Sequence, residues 1–204
     1  MGTIFTIGYT SFTDIDSFLQ TLHKQKIKAV IDVRSSPYSK IHPEYNKENI
    51  KRTLNSHQIY YVFLGNECGA RVDEKSCYVD GQVNFNCVSS LPKFKSGLER
   101  IYSGAKKFNV ALMCAEKDPI TCHRTILISK NLKQYCLPIM HLLDTEHVET
   151  HEELEQRLLK VYELNQSHFF KNQKELLEEA YEKQANKIAY RIDENDIVYE
   201  VHHD

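Results

Sequence analysis

The sequence lacks an excess of charge and has few residues that break regular structure. Its 204 residues include 26 basic and 28 acidic side chains, a formal net charge of −2. We therefore expect no overall attraction to nucleic acid, although a local basic patch stays open. Glycine and proline number only 7 and 5, and 41% of the residues are hydrophobic. This composition excludes a disordered chain and is typical of a globular protein with a sizeable core.

The sequence also lacks a long hydrophobic run. No stretch approaches the roughly 20 apolar residues that cross a bilayer, and the N-terminal "MGTIFTIGYTSF" does not have the pattern of a signal peptide. We expect a cytoplasmic protein with no membrane partner; the oligomeric state is not indicated. The six cysteines are expected to be thiols in that compartment, although their even number leaves a disulfide set open. They are Cys68, Cys77, Cys87, Cys114, Cys122 and Cys136.

Short apolar segments alternate with segments of helical periodicity. The apolar segments are "TIFTI" (3–7), "KAVIDV" (28–33), "IYYVFL" (59–64), "NVALMC" (109–114) and "CLPIMHLL" (136–143). Alternation of this kind is typical of a parallel sheet with helices on both faces. The sequence therefore predicts an α/β three-layer sandwich with a mostly parallel five-stranded sheet, Rossmann-like or rhodanese-like, and a helical appendage at the C-terminus.

The pattern of polar and apolar residues changes twice along the chain. Residues 65 to about 90 have no clean period, which predicts an irregular insertion within an α/β domain of residues 1–144. From residue 145 onward the chain is charged and helical in pattern, and Thr150 and Glu153 have the spacing of a capping box. We expect residues 145–204 to form a helical extension packed on the same domain.

Polar residues follow the predicted strands where each strand ends. Right-handed crossovers bring the carboxyl ends of parallel strands to one edge of the sheet, where ligands of open α/β sheets bind. Arginine forks match carboxylate and phosphate groups, so we expect a small anionic ligand there. The candidate substrate-binding residues are Gly8, Tyr9, Arg34, Tyr38, Asn46, Arg71, Lys117, Asp118 and Arg124. For Asn46, the alternative is a helix cap.

The stretch "MCAEKDPITCHR" (113–124) is the densest in reactive side chains. It runs from a predicted strand into a predicted helix, whose N-terminus lowers the pKa of a cysteine placed there. Cys122 is thus the candidate nucleophile, with His123 or Glu116 as the acid–base group. The alternatives are that Cys122 packs, that His123 bonds a backbone carbonyl, and that Cys114 is a small hydrophobic residue closing a core strand.

Metal binding is the remaining interpretation of this stretch. Cys114, Cys122 and His123, joined by His42 or His141, contain the right atoms, but a C-x7-C-H spacing matches no common zinc motif. Cys68, Cys77 and Cys87 have no standard zinc spacing either and are read as loop thiols. The sequence therefore predicts no metal site, and it assigns no cofactor.

Together these residues resemble the DUF488 family, a group without a known function. The resemblance is carried by "TIGYT", "IDVRSSPYS", "HPEYNKENI", "YYVFLGNECGAR" and above all "CAEKDPITCHR", read as the motif CAEKDPxxCHR. It implies an α/β fold with a shared pocket and a loose link to DNA-related processes, but no reaction. At residues 40–42 this chain has Lys-Ile-His where family members often carry a basic pair.

Two classes of function fit these features best. The first is an enzyme, a cysteine-dependent hydrolase or transferase, acting on a small anionic or nucleotide-like substrate at the Cys/His/Arg edge. The alternative is a non-catalytic nucleotide- or nucleic-acid-binding module, with Tyr9, Tyr38 and Tyr45 stacking on bases. A third possibility is an interaction protein in which the C-terminal extension mediates assembly.

Overall fold

A six-stranded sheet organises the chain in the computed structural model, which describes residues 2–165 and 171–192. Its strands, in the order β3-β2-β6-β1-β7-β8, are β1 (Ile4–Gly8), β2 (Ile27–Asp32), β3 (Tyr60–Phe63), β6 (Asn109–Cys114), β7 (Ile139–Leu142) and β8 (Val148–Thr150). A separate two-stranded sheet pairs β4 (Tyr78–Val79) with β5 (Gln82–Val83). All neighbours in the main sheet are parallel except β8, which is antiparallel to β7.

Helices cover both faces of the main sheet, which confirms the predicted three-layer α/β fold. They are α1 (Ile15–Lys24), α2 (Lys47–Ser56), α3 (Gly65–Cys68), α4 (Phe85–Ser90), α5 (Pro92–Ala105), α6 (Lys130–Leu132), α7 (His151–Val161) and α8 (Gln173–Ile188). A π-helical turn, Arg124–Ser129, precedes α6. Short 3₁₀ turns span Tyr9–Ser11, Pro43–Tyr45, Lys75–Cys77, Pro119–Thr121 and Lys133–Tyr135. Among the described residues, none of the helices has the length and hydropathy needed to cross a membrane.

The alternation of side chains along the strands separates two hydrophobic cores. In β1, Ile4 belongs to the core under α5, α7 and α8, whereas Phe5 and Ile7 belong to the core under α1 and α2. Successive strand residues point to opposite faces, so a sheet buried on both sides needs apolar residues at nearly every position. In β6, Cys114 lies on the same face as Ile4.

Helix starts follow local polar signals. Asp14 caps α1 in a capping box with Ser17, and Thr150 caps α7 in a capping box with Glu153, as the spacing of the latter pair predicts. Asn46 stands at the cap position of α2, but its side-chain oxygen accepts a hydrogen bond from the Ser39 amide at 2.6 Å instead. Asn46 therefore ties the loop after β2 to α2.

The insertion at residues 65–90 is more ordered than its sequence pattern suggests. It consists of α3, a 3₁₀ turn, the β4–β5 hairpin and α4. A disulfide joins Cys77 to Cys87, whose Cα atoms lie 5.3 Å apart. The expectation that all six cysteines are thiols is therefore wrong for this pair, because the hairpin brings together two residues that are 10 positions apart. Cys68, Cys114, Cys122 and Cys136 are free.

The segment after residue 144 contributes to the sheet as well as to the helical layer. The main sheet has six strands rather than five because Val148–Thr150 adds an antiparallel edge, and three residues are too few to show a period. The helices α7 and α8 pack against the face of the sheet that carries Ile4. The side-chain amide of Gln184 in α8 donates to the Ile120 carbonyl at 2.8 Å. Residues 166–170 and 193–204 of the predicted extension lie outside the described residues.

Candidate active site

The reactive stretch lies at the C-terminal edge of the sheet, between two neighbouring strands. Cys114 is the last residue of β6, which lies between β1 and β2. The chain then crosses over the end of β1, where the Thr10 hydroxyl donates to the Ala115 carbonyl at 2.6 Å. It turns through Pro119–Thr121 and returns to Cys122 and His123. This path brings Cys114 next to Cys122 although seven residues separate them.

A hydrogen bond to the neighbouring strand fixes the orientation of His123. Its Nε2 lies 2.9 Å from the carbonyl oxygen of Val33. A carbonyl only accepts, so Nε2 carries the proton, and in the neutral ring Nδ1 has a free lone pair. That Nδ1 lies 3.8 Å from Cys122 Sγ and 3.9 Å from Cys114 Sγ. The imidazole thus presents its basic nitrogen to two sulfur atoms.

The sulfur of Cys122 is surrounded by polar groups although the residue is only 1% exposed. It lies 2.9 Å from Glu116 Oε2 and accepts a hydrogen bond from the Arg124 amide at 3.4 Å. A proton must lie between the sulfur and the carboxylate, because two anions at that distance repel each other. Burial acts to raise the pKa of Cys122, but the hydrogen bond from Cys114 and the positive charge of Arg124 hold it well below its usual value.

Cys114 and Glu116, which neighbour this sulfur, both have raised pKa values. The pKa of Cys114 is well above its usual value, first because its thiol donates to Cys122 and second because it is buried. Burial and the nearby Cys122 sulfur raise the pKa of Glu116. Protons are thus retained on Cys114 and on Glu116, while Cys122 favours the thiolate, which is the nucleophilic form.

Arg124 shapes the loop that carries Glu116. Its side chain is fully buried, and Nη1 donates to the Glu116 carbonyl at 2.8 Å. Nη2 donates to the Lys117 carbonyl at 3.4 Å, and Nε donates to Thr6 Oγ1 at 3.4 Å. This guanidinium is therefore committed to contacts within the protein, and the closest approach of the two charged side chains, Nη1 to Glu116 Oε2, is 4.0 Å.

Gly8 lets the same loop approach the end of β1. A Cβ added to Gly8 would lie 1.9 Å from the Glu116 carbonyl oxygen, a distance that real side chains do not tolerate. Of the residues predicted from sequence, Gly8 and Arg124 thus hold the backbone beside Cys122. Lys117 contributes its carbonyl oxygen to this scaffold, while its side chain is exposed.

Arg34 forms a second buried cluster next to the first. Its fork binds the carboxylate of Asp32 at 2.9 and 2.6 Å, and Nη2 also donates to the Tyr45 carbonyl at 2.8 Å. Nη1 has no hydrogen-bond partner within the described chain. Arg34 directly follows Val33, which binds His123, so this free donor belongs to the same edge of the sheet. Tyr9 stacks on Tyr45 with ring centroids 4.3 Å apart.

The remaining predicted substrate-binding residues have other partners. Tyr38 is 57% exposed, and its hydroxyl donates to Glu48. The guanidinium of Arg71 lies 4.3 Å from the ring centre of Tyr190. Asp118 accepts hydrogen bonds from Arg157 of α7 at 3.0 and 3.1 Å. The side chains of Arg34, Arg71 and Arg124 therefore point to three different sets of partners.

Two parts of the arrangement differ from the roles that the sequence favoured. Cys114 belongs to the Cys122–His123 cluster in addition to closing a core strand. His141 lies at the end of β7 but bonds to His151 of α7, with Nε2 3.0 Å from Nδ1, and it is not part of this cluster. Strand-end position could have suggested Cys114, since β6 ends where the reactive loop begins.

The fold and the site define an α/β protein with a buried cluster of two cysteines and one histidine at the C-terminal edge of its sheet. Residues 14–130 match the model of a family described as Domain of unknown function DUF488. This range covers more than half of the chain and includes the reactive stretch, so the chain belongs to the DUF488 family, as its motifs predict. Comparison with curated proteins and with solved structures gives no match.

Proposed function

We propose that this protein is an enzyme, a cysteine-dependent hydrolase or transferase, that acts on a small anionic or nucleotide-like substrate at the Rossmann-like edge of the sheet. Cys122 is the nucleophile, and Glu116 is the acid–base group. The observation that carries the proposal is the position of Cys122 Sγ, 2.9 Å from a carboxylate oxygen and 3.4 Å from a backbone amide. A nucleophile within hydrogen-bond reach of its base is the arrangement that covalent catalysis requires.

The proposed reaction has two steps. In the first, the Cys122 thiolate, with the proton held on Glu116, forms a bond from Sγ to the electrophilic phosphorus or carbonyl carbon. The bond to the leaving oxygen breaks, and Glu116 gives its proton to that oxygen. In the second step, water or an acceptor alcohol gives a proton to Glu116 and attacks the same atom. This releases the product and restores the free cysteine.

His123 and Arg34 have supporting roles in this proposal. His123 is a positioning residue, because its Nε2 is held by the Val33 carbonyl while Nδ1 faces the sulfur. Arg34 supports an anionic substrate, because its side chain is 6% exposed and its Nη1 lacks a partner among the described residues. A buried donor without a partner costs free energy, about 1–3 kcal/mol, that an anion would recover.

The test is a search for the covalent intermediate. The protein is mixed with 4-nitrophenyl phosphate or 4-nitrophenyl acetate, nitrophenolate release is followed in rapid mixing, and the quenched protein is digested for mass spectrometry. We expect a burst of about one equivalent and an adduct on the peptide that contains Cys122. Cys122→Ser should abolish both, and Cys136→Ser, which removes an exposed thiol outside the cluster, should leave both unchanged. A burst that survives in Cys122→Ser contradicts the proposal.

The second part of the proposal concerns the setting. We propose a cytoplasmic protein, because four of the six cysteines are free and thiols persist in reducing compartments, whereas the Cys77–Cys87 disulfide is of a kind more common in oxidising ones. We also propose that residues 145–204 belong to the same domain as residues 1–144. The ion pair of Arg157 with Asp118 and the bond of Gln184 to Ile120 support this assignment. A chain truncated after Asp144 should then lose its cooperative unfolding transition in urea.

A further inference from the structure

Three ligand atoms of the cluster lie in one small volume. The two sulfur atoms of Cys114 and Cys122 and a ring nitrogen of His123 all lie within 4.8 Å of one another. The three residues are buried, with exposed fractions of 3%, 1% and 6% in that order. Two thiols and an imidazole this close, out of water, form a set of soft and borderline donors that suits a transition metal.

The distances within the cluster are close to those around a tetrahedral metal ion. Zinc binds sulfur at about 2.3 Å and nitrogen at about 2.0–2.1 Å, and a tetrahedral angle then separates the two donors by roughly 3.6 Å. The separations of His123 Nδ1 from the two sulfurs are 3.8 and 3.9 Å. Movements of a few tenths of an ångström would therefore bring the His123 nitrogen to the tetrahedral separation from each sulfur.

The orientation of the imidazole gives independent support. Metal-binding histidines almost always donate their second ring N–H to a carboxylate or a carbonyl, which fixes the tautomer and aims the other nitrogen at the ion. His123 has this arrangement, because Nε2 donates to the Val33 carbonyl and Nδ1 faces the two sulfur atoms. The carboxylate of Glu116, 2.9 Å from Cys122 Sγ, borders the same volume.

We propose that Cys114, Cys122, His123 and Glu116 form a four-ligand site for a divalent transition metal of the zinc type. Sulfur and imidazole donors disfavour Mg²⁺ and Ca²⁺, which prefer oxygen. Glu116 supplies the only oxygen donor of the four, and its side chain is 43% exposed, so the ion enters and leaves on this side. The site itself rests on geometry and does not depend on the proposed reaction.

The consequence for activity does rest on the proposed function. A sulfur lone pair bound to a metal is not free to attack a substrate, and a carboxylate bound to the same ion is not free to take a proton. The metal-loaded and catalytic forms of Cys122 therefore exclude each other. A zinc-type ion would act on the proposed enzyme as a reversible inhibitor.

Cobalt is the probe of choice, because Co²⁺ bound to thiolates in a tetrahedral site absorbs in the near ultraviolet and in the visible. The full-length protein, reduced and treated with a chelator that is then removed, is titrated with Co²⁺. We expect one equivalent to produce both absorptions and Zn²⁺, but not Mg²⁺, to abolish them. Cys114→Ser should weaken Co²⁺ binding by more than about 100-fold, and Cys136→Ser should not. Octahedral cobalt spectra, or unchanged binding in Cys114→Ser, would overturn the proposal.

A second measurement on the unmodified sequence covers the case in which Cys114→Ser does not fold. After native mass spectrometry, the folded protein with and without one equivalent of Zn²⁺ is exposed to iodoacetamide in native buffer, and alkylation is read for each cysteine. Zinc should add its mass to the native ion and slow alkylation of Cys114 and Cys122 at least about 10-fold, with no effect on Cys136. Equal alkylation with and without zinc refutes the site. Loss of metal binding with an intact nitrophenolate burst would leave the proposed function standing.

Discussion

The imidazole of His141 donates to that of His151, with 3.0 Å between Nε2 and Nδ1. The direction follows from the neighbours. Tyr181 donates to Glu155 at 2.9 Å, so it accepts from His151 Nε2 at 3.1 Å, and Thr6 donates to His141 Nδ1 at 2.8 Å. Both rings are therefore neutral, and a buried chain of hydrogen bonds joins strand β1 to α7 and α8. Protonating either ring would break it.

The first prediction concerns the stability of the folded protein in acid, which depends on these hydrogen bonds. Burial, and then the charge of Lys133, lowers the pKa of His151 from 6.5 to about 4. The unfolded chain binds a proton at this position below about pH 6.5 and the folded chain does not, so stability falls from that pH down to about pH 4. The loss from His151 should approach ~3 kcal/mol at pH 4. Urea unfolding at pH 7.5, 6.0 and 5.0 measures it.

The matched control for this experiment is His151→Gln. Glutamine keeps a donor and an acceptor but does not titrate, so the difference in stability between the variant and the original protein should shrink as the pH falls. The exposed carboxylates titrate equally in both proteins and cancel in the comparison. Parallel pH profiles for the two proteins would show that the His151 ring is not held neutral.

The second prediction concerns Gly8. Gly8→Ala places a Cβ 1.9 Å from the Glu116 carbonyl, so the loop must move. We expect a loss of about 1–3 kcal/mol in the free energy of unfolding, together with a reduced nitrophenolate burst. Gly104→Ala is the control, because its Cβ would have its nearest neighbour at 3.7 Å within α5, and alanine favours a helix. Equal losses for the two variants would contradict the close approach at Gly8.

The third prediction concerns the buried guanidinium of Arg124. Arg124→Lys keeps the charge but cannot bind the Glu116 carbonyl and Thr6 at once, and unsatisfied buried acceptors cost about 1–3 kcal/mol each. We expect a destabilisation of ~2–4 kcal/mol in thermal unfolding. Arg71→Lys, on a guanidinium that packs over Tyr190 at the surface, should cost less than about 1 kcal/mol. An unchanged thermal stability in Arg124→Lys would mean that the loop does not depend on the hydrogen bonds of the Arg124 guanidinium.

The fourth prediction concerns the disulfide of the insertion. Cys87→Ser opens the loop closed by Cys77 and Cys87, which are 10 positions apart, and restoring that freedom to the unfolded chain should cost ~2–3 kcal/mol. Urea unfolding without reductant measures the loss. Adding a reductant should bring the original protein down to the stability of the variant, while Cys136→Ser should match the original protein under both conditions. An unaffected original protein in reductant would contradict the bridge.

The sequence predicts the sheet well, because alternation of apolar strands with helices is a local pattern that parallel sheets require. The five predicted strands all form. The sixth strand, Val148–Thr150, exists only because β7 offers it an edge. The bridge between Cys77 and Cys87 likewise depends on how a hairpin folds back, which cysteine spacing alone does not reveal.

Within the site, residue types were predictable and partners were not. Cys122, His123 and Glu116 are close together in the chain, so their proximity follows from one loop. Cys114 joins them only because that loop crosses β1 and returns, and spacing rules for zinc motifs do not cover this path. The contacts of Arg34 and Arg124 are equally invisible in sequence, since a guanidinium binds a backbone carbonyl as readily as a ligand.

The sequence alone determined the fold class, the edge of the sheet at which the Cys/His cluster lies, and the family. These follow from periodicity and from a local motif, both of which are encoded in neighbouring residues. The tertiary structure decided which atoms face each other: the His123 ring toward two sulfurs, Arg124 toward the loop, and His141 toward His151. Such contacts join segments that are far apart in the chain, and their geometry depends on how whole layers pack.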